Sequence, residues 1–306
     1  MEQTTGYTGR FAPSPTGPLH LGSLVAALAS WVDARANGGK WLLRIEDIDP
    51  PREQPGATAQ IIQCLRMHGL TWDGPVTCQS DRSGHYEAAL DNLRQQNRLY
   101  ACTCTRKHLR AIASQTGSRA YPGFCRGNQI PEDSHALRFV APVDEITVFT
   151  DAVYGAMSEA VADTTGDFIV RRRGPLYAYQ LAVVVDDAEQ GITHIVRGAD
   201  LLDNTARQIV LQQALGYPRP EYLHLPLMIS GTQKLSKQSG AEALNNETPV
   251  ANLVTAWTAL GQVTPSSENC SNVDDFLAFA VSNWKRDCIG TESINIENNK
   301  MVDTNG

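Results

Sequence analysis

The eleven residues Pro13-Ser14-Pro15-Thr16-Gly17-Pro18-Leu19-His20-Leu21-Gly22-Ser23 constrain this chain more than any other feature. Gly9 to Ser14 reads as a short strand and the Pro/Gly cluster as a turn. Leu21 to Asn37 reads as an apolar, alanine-rich helix stopped by Gly38 and Gly39. A second strand, Trp41 to Ile45, ends at the Asp49-Pro50-Pro51 turn. Strand, glycine turn, helix, strand opens a nucleotide-binding unit, so an α/β fold with a Rossmann-type, doubly wound parallel sheet is expected. The helix N-terminus offers phosphate its unpaired N–H groups and the positive end of the dipole. Gly22 lets an adenine ring lie against the backbone. His20 can donate to phosphate oxygens as charge builds at phosphorus. A turn that only caps a helix has the same pattern, so this segment does not decide alone.

Helical patterns follow at Thr58 to His68 and Tyr86 to Asn97. Tyr100 to about Glu132 has cysteines, Gly, Pro and weak periodicity, which marks an insertion. Strands are expected at Ala136 to Val140, Glu145 to Thr150, Asp167 to Val170 and Tyr222 to Ile229. The apolar run Ala178 to Val185 also reads as a strand, one covered on both faces of a parallel sheet. Leu201 to Leu215, Pro249 to Gly261 and Val273 to Lys285 read as helices, and beyond Asp287 a polar, frayed tail is expected. The organisation expected is therefore two halves of a catalytic domain, 1–99 and 136–240, split by an insertion, 100–135. A helical region, 241–290, and a flexible tail, 291–306, follow.

A second chemical constellation is Gly231-Thr232-Gln233-Lys234-Leu235-Ser236-Lys237-Gln238-Ser239-Gly240. Two lysines three apart in a Ser/Gly-rich loop suit a departing pyrophosphate, although such a pair is commonly a solvated surface. In this order and this far apart, the two segments resemble the signature motifs of class I aminoacyl-tRNA synthetases. His20-Leu21-Gly22-Ser23 stands at the histidine-glycine motif and Lys234-Leu235-Ser236-Lys237-Gln238 at the lysine-serine loop, with Gln238 replacing the usual serine. The resemblance implies catalytic roles for His20, Lys234 and Lys237, and ATP binding by His20, Gly22, Ser23 and Lys237, with Mg2+ entering on the ATP.

Four further segments resemble the glutamyl branch of that class: Arg10 to Gly17, Leu43 to Asp49, Ala178 to Asp187 and Gly191 to Leu202. Glutamate carries two carboxylates and an ammonium, which calls for fixed guanidiniums and a buried carboxylate. Arg10 and Arg197 are the candidate guanidiniums, Glu46 the candidate ammonium partner and Tyr179 a donor that sets side-chain register. The resemblance places all four in the amino-acid pocket, with the backbone of Arg10, Phe11, Ala12, Pro13 and Ser14. Taken singly, Glu46 reads equally well as a turn acid and Arg197 as a structural ion-pair residue.

The insertion carries Cys102-Thr103-Cys104 and Tyr121-Pro122-Gly123-Phe124-Cys125-Arg126. Three thiols so close suit one tetrahedral zinc ion, which would tie down a loop without its own core. Spacing leaves the fourth ligand open and nominates His108 or His135. Short proteins related to the glutamyl branch carry this Cys-x-Cys and Tyr-x-x-x-Cys-Arg pattern, and that resemblance implies Cys102, Cys104, Tyr121 and Cys125 as ligands. Three buried thiols without a metal remain the alternative. Arg171-Arg172-Arg173 is the densest basic run, suited either to RNA phosphate or to solvent.

Only about 65 residues follow Gly240, too few for the helical anticodon-reading domain of a full glutamyl-tRNA synthetase. The chain thus resembles the glutamyl-queuosine tRNA(Asp) synthetases. That family activates glutamate without tRNA and esterifies queuosine at the wobble position, so the anticodon loop of tRNA(Asp) is the expected partner surface. A minimal glutamyl-tRNA synthetase charging the 3′ end, and a non-catalytic tRNA-binding module, are the competing readings. The 306 residues have net charge -7, which argues against non-specific coating of nucleic acid but permits a local basic patch. No apolar stretch suits a membrane span and no secretory leader is visible. Seven scattered cysteines do not suggest a disulfide framework. A cytoplasmic monomer is expected.

Overall fold

The computed structural model describes residues 6–230, 233–234, 242–297 and 300–301. Strand β1 (Thr8–Phe11) leads through the Pro/Gly turn into helix α1 (Leu21–Ala36). β2 (Lys40–Ile45) then returns parallel to β1, with Arg10 opposite Leu42. α1 is buried on nearly every side, from Leu21 through Ala34, as expected of a helix apolar all round. Gly38, at φ 63, takes the left-handed turn that ends it. α2 (Ala57–Met67), β3 (Thr77–Cys78) and α3 (Ser83–Gln95) complete the first half, β3 running parallel to β2.

The insertion and its flanks contain β4 (Leu99–Cys102), α4 (Arg106–Thr116) and β5 (Ala136–Phe139). The second half holds β6 (Thr147–Asp151), β7 (Gly155–Glu159), α5 (Val161–Thr164), β8 (Phe168–Arg171), α6 (Tyr179–Glu189), β9 (His194–Gly198), α7 (Thr205–Leu215) and β10 (Glu221–Leu225). β6, β10 and β9 are parallel neighbours, with β7 antiparallel at the edge. The Thr193 N–H donates to the Thr8 carbonyl at 2.9 Å, which sets β9 beside β1 and joins the two halves. The α/β class with a parallel sheet is thus observed. β4, β5 and β8 form a separate antiparallel sheet under the insertion.

Three expectations are corrected. Ala178 to Val185 is not a strand: it enters helix α6, whose residues Gln180 to Asp187 are all buried. An element covered on every side has no polar face, so hydrophobic period cannot tell strand from helix. Within the insertion, where periodicity was too weak to place an element, α4 forms with Leu109 packed toward the cysteines. The expected strand Tyr222 to Ile229 is two, divided at Pro226, which has no N–H for a ladder; β11 (Met228–Ser230) follows β10.

The segment after Asp287, expected to fray, is partly sheet. β13 (Ile294–Glu297) pairs parallel with β11 and is followed by β14 (Lys300–Met301). Ile296 explains this, being 1% exposed within the core that α1 shares with Met228, Trp257 and Phe276. β12 (Gln233–Lys234) is the other neighbour of β11, so Lys234 has its backbone opposite Ile229. Lys237 and Gln238 lie outside the described residues.

α8 (Pro249–Ala259) and α9 (Val273–Asn283) pack on α1 through Trp257, Leu253 and Phe276, all fully buried. Burying such side chains contributes about 2–3 kcal/mol each. Buried Asp33 of α1 accepts from Tyr7 Oη, Trp284 Nε1 and Arg286, so the C-terminal region is bonded directly to the β1–α1–β2 unit. No described helix is long and apolar enough to cross a membrane.

Candidate active site and metal centre

A cleft of about 860 Å³ opens at the C-terminal ends of β1, β2 and β9, where an open α/β sheet places its ligands. Arg10, Phe11, Ala12, Pro13, Ser14, His20, Gly22, Ser23, Glu46, Tyr179 and Arg197 all line it. Residues drawn from five separate stretches of sequence are thus gathered in one cavity. Arg52 and Gln54, which lie outside every recognised segment, line it as well, and so does Asp200, which lies within the Gly191 to Leu202 segment but had been given no role.

On one side stands the α1 terminus. His20 is its N-cap, and its Nδ1 accepts from the Ser23 N–H at 3.3 Å. A neutral ring bonded in this way carries its proton on Nε2, the nitrogen that can donate. A Cβ on Gly22 would stand 3.2 Å from that ring and 3.5 Å from Met228 Cβ, so glycine keeps the cleft floor flat.

The other side is charged and buried. Arg10 donates to Asp187 at 3.2 Å; Arg44 lies 2.8 Å from Asp187, 3.5 Å from Glu46 and 3.8 Å from Asp186. Arg82, Gln79 and Tyr86 hold the far side of Asp186. Arg10, Asp187, Arg44 and Glu46 therefore form an alternating row whose two ends, a guanidinium and a carboxylate, reach the cleft. Burial pushes Glu46 up to about 7, against the lowering pull of Arg44 and Arg10. A cation arriving in the cleft would restore its charge.

Arg197 is aimed by a second chain of contacts. Asp151 accepts from His224 Nδ1 at 2.6 Å, and His224 Nε2 accepts from Arg197 Nε at 3.0 Å. Burial holds His224 below its ordinary range, which keeps Nε2 unprotonated and able to accept. Thr205 Oγ1 takes Nη2 at 3.0 Å, while Nη1 is buried with no hydrogen-bond partner. An unpaired guanidinium nitrogen costs about 1–3 kcal/mol, which a ligand carboxylate would recover. Tyr179, the first residue of α6, is pushed up by burial and so stays a donor.

Sequence reasoning missed Arg44, Asp186, Asp187 and His224. They lie inside or beside recognised segments, but a charged residue in an apolar run shows its partner only in the fold.

The insertion holds a distinct centre. Cys102, Cys104 and Cys125 place their sulfurs within 4.8 Å of one another, and Cys104 and Cys125 are 3.7 Å apart. The edge of a tetrahedron with ~2.3 Å metal–sulfur bonds is about 3.8 Å. Tyr121 Oη sits 3.4 Å from Cys102 Sγ and 3.5 Å from Cys104 Sγ. The histidines that spacing nominated are elsewhere. His108 packs against Phe124, and His135 Nδ1 is bonded at the Pro131 carbonyl. Arg138 covers the Tyr121 ring at 3.6 Å and donates to Cys102 Sγ at 3.2 Å, a cation placed against the cysteine cluster. Gly166, at φ +67, lies against the Tyr121 backbone so closely that a Cβ would meet the carbonyl oxygen at 2.1 Å. The three cysteines are placed as a group that could hold a thiophilic divalent ion.

Of the basic run, Arg171 donates to the Glu132 carbonyl, Arg172 pairs with Asp49 at 2.7 Å and Arg173 is exposed. The first two are thus engaged within the protein.

Residues 7–260 match the family model described as tRNA synthetases class I (E and Q), catalytic domain. A "Glutamyl-Q tRNA(Asp) synthetase" of Burkholderia cenocepacia is 49% identical over 92% of this chain and 97% of its own. A protein of that name from Thiobacillus denitrificans is 50% identical over 94% of this chain and 96% of its own. Among solved structures, a glutamate-tRNA synthetase from Elizabethkingia anophelis superposes with a TM-score of 0.80 at 26% identity, over 95% of this chain and 68% of that one.

Proposed function

The chain belongs to the class I (E and Q) tRNA-synthetase family, among the glutamyl-Q tRNA(Asp) synthetases, and from that premise we propose that it activates glutamate with ATP unaided by tRNA and transfers it to queuosine at the wobble position of tRNA(Asp). It is a ligase of the class I aminoacyl-tRNA synthetase type. What carries the glutamate step is the charge arrangement of the cleft: Arg10, Arg197 and Glu46 on one wall, His20 and Gly22 on the other. Arg197 Nη1 takes a substrate carboxylate, and Glu46 takes the α-ammonium. The α-carboxylate oxygen attacks the α-phosphorus of Mg-ATP, forming the adenylate as the bond to pyrophosphate breaks. His20 Nε2–H donates to phosphate oxygen as charge grows there, with Lys234 and Lys237 assigned to the departing pyrophosphate. A hydroxyl of the acceptor then attacks the mixed anhydride carbonyl, its proton is lost and AMP leaves. Positioning and charge stabilisation suffice, with no protein nucleophile.

The acceptor rests on the relatives' names. Labelled glutamate is expected to attach to queuosine-containing tRNA(Asp), and not to the same tRNA with guanosine at that position. Removing the 3′ adenosine should leave the acceptor intact, and pyrophosphate exchange should need glutamate but no tRNA. Equal charging of tRNA(Glu) at its 3′ end would instead make the chain a minimal glutamyl-tRNA synthetase.

We assign one zinc ion to Cys102, Cys104, Tyr121 and Cys125. When bound it supplies a structural cross-link to a segment that has no core of its own. Metal analysis should give close to one equivalent, lowered by Tyr121→Phe and unchanged by His108→Ala. The reverse pattern would return the fourth ligand to histidine.

A further inference from the structure

We propose that the exposed face of the insertion, centred on Arg106, Lys107 and Arg110 with Phe124 beside them, grips the phosphate backbone of the tRNA substrate; this rests on the reading of the chain as a tRNA ligase. Between Tyr100 and Pro131 stand five cations, Arg106, Lys107, Arg110, Arg119 and Arg126, and no acid. The rest of the chain has 21 lysines and arginines against 33 acids, so a polyanion meets repulsion from the body as a whole and attraction at this segment.

All five are exposed, and only Arg126 has an acidic partner among the described residues, Asp167. Helix stability does not account for the others. Arg106 and Lys107 occupy the first turn of α4, where the helix dipole disfavours cations. Arg106 and Arg110 are four apart on one face, a like-charge pair that opposes the helix. Balancing charge at the cysteine cluster does not account for them either, because Arg138 already lies buried against Cys102 and Tyr121. What remains is a cost in local stability that an external anion would offset.

Phe124 belongs to the same patch. Its ring is 50% exposed and lies 6.3 Å from that of His108, in the first turn of α4, and it meets Tyr121 edge-on. An aromatic face left open beside three cations suits an unpaired base or ribose next to the phosphates. The thiol-rich centre beneath gives the patch a fixed shape: Tyr121 and Cys125 flank Phe124 in sequence, and Leu109 of α4 packs on them.

The test uses the full chain with Arg106, Lys107 and Arg110 all replaced by glutamine, which keeps the helix and removes the charge. Glutamate-dependent pyrophosphate exchange without tRNA should stay at the wild-type level. The KM for tRNA in transfer should rise at least tenfold at low salt. The slope of log affinity against log salt should become shallower by about 2, near 0.7–0.9 for each phosphate no longer neutralised. Phe124→Ala should raise the tRNA KM without changing that slope. An unchanged tRNA KM and slope would overturn the proposal, as would a parallel fall in exchange, which would mean that the charges serve only the fold. Binding of tRNA read by filter retention keeps the test separate from the acceptor assignment. Wild-type protein that binds tRNA with the steep salt slope but glutamylates none would leave this surface standing and remove that assignment.

Discussion

Replacing Arg44 by methionine is expected to cost about 3–5 kcal/mol of folding stability at pH 8. Arg44 is fully buried on β2, within 4 Å of Glu46, Asp186 and Asp187. Methionine fills most of the stem volume, so the loss is chiefly electrostatic. Arg10 still faces Asp187 and Arg82 still faces Asp186, which leaves Glu46 as the carboxylate stripped of its ion pair. The pH dependence separates charge from packing. In the native protein Asp187 is held below its ordinary range: burial raises it, but Arg10 and Arg44 together pull it further down. Its contribution is present above the unfolded value of about 3.9 and fades as pH falls through the folded one. Glu46 is raised, so it costs stability increasingly as pH climbs from about 4.5 to 7. Removing Arg44 raises both groups, and protonation then relieves the strain. Urea unfolding should therefore find the deficit large at pH 8 and much smaller near pH 5. A deficit of equal size at both pH values would mean a cavity and not stranded charge.

How far the sequence could be read depended on whether an interaction was local. Helix α1 was legible to within a residue because its start, its stop and its apolar length are written in adjacent positions. Eleven of the candidate residues share one cleft, and each was legible because it sits in a segment whose pattern matches a family motif; Lys234 is not among the lining residues and Lys237 lies outside the described ones. α6 was misread for the opposite reason: it is buried on all sides, so nothing in its own residues marks the helical period. β13 was misread because its partner, β11, lies more than sixty residues earlier, and one buried isoleucine in a polar stretch is a faint signal. Arg44, Asp187 and His224 escaped because their roles are to aim other residues. At the cysteine cluster spacing had nominated a histidine, whereas the fold sets Tyr121 Oη against two of the sulfurs, a neighbour that spacing alone could not name.

The largest effect on function is expected from Glu46→Gln, which keeps the shape of the side chain and removes its charge. Glu46 is nine-tenths buried at the cleft, and its N–H is held by the Pro13 carbonyl at 3.0 Å, so the carboxyl has little freedom to be replaced by a neighbour. Losing one member of a desolvated pair with the substrate ammonium costs about 3–4 kcal/mol, or roughly 10²- to 10³-fold. The ammonium does not change during adenylate formation, so ground state and transition state lose alike. The effect should fall on KM for glutamate and leave kcat nearly intact. Acidity supplies the second signature. In the empty cleft Glu46 is raised to about 7, because burial outweighs Arg44 and Arg10. Below that value the carboxyl must lose its proton before it can pair, so binding releases a proton and weakens as pH falls. Wild-type kcat/KM for glutamate should therefore drop about tenfold per unit below pH 7 and level off above it. In the glutamine variant that limb should disappear, because nothing at the position titrates. A variant with near-normal KM, or one that keeps the acid limb, would show that Glu46 is a buried structural acid and that the ammonium is held elsewhere in the cleft.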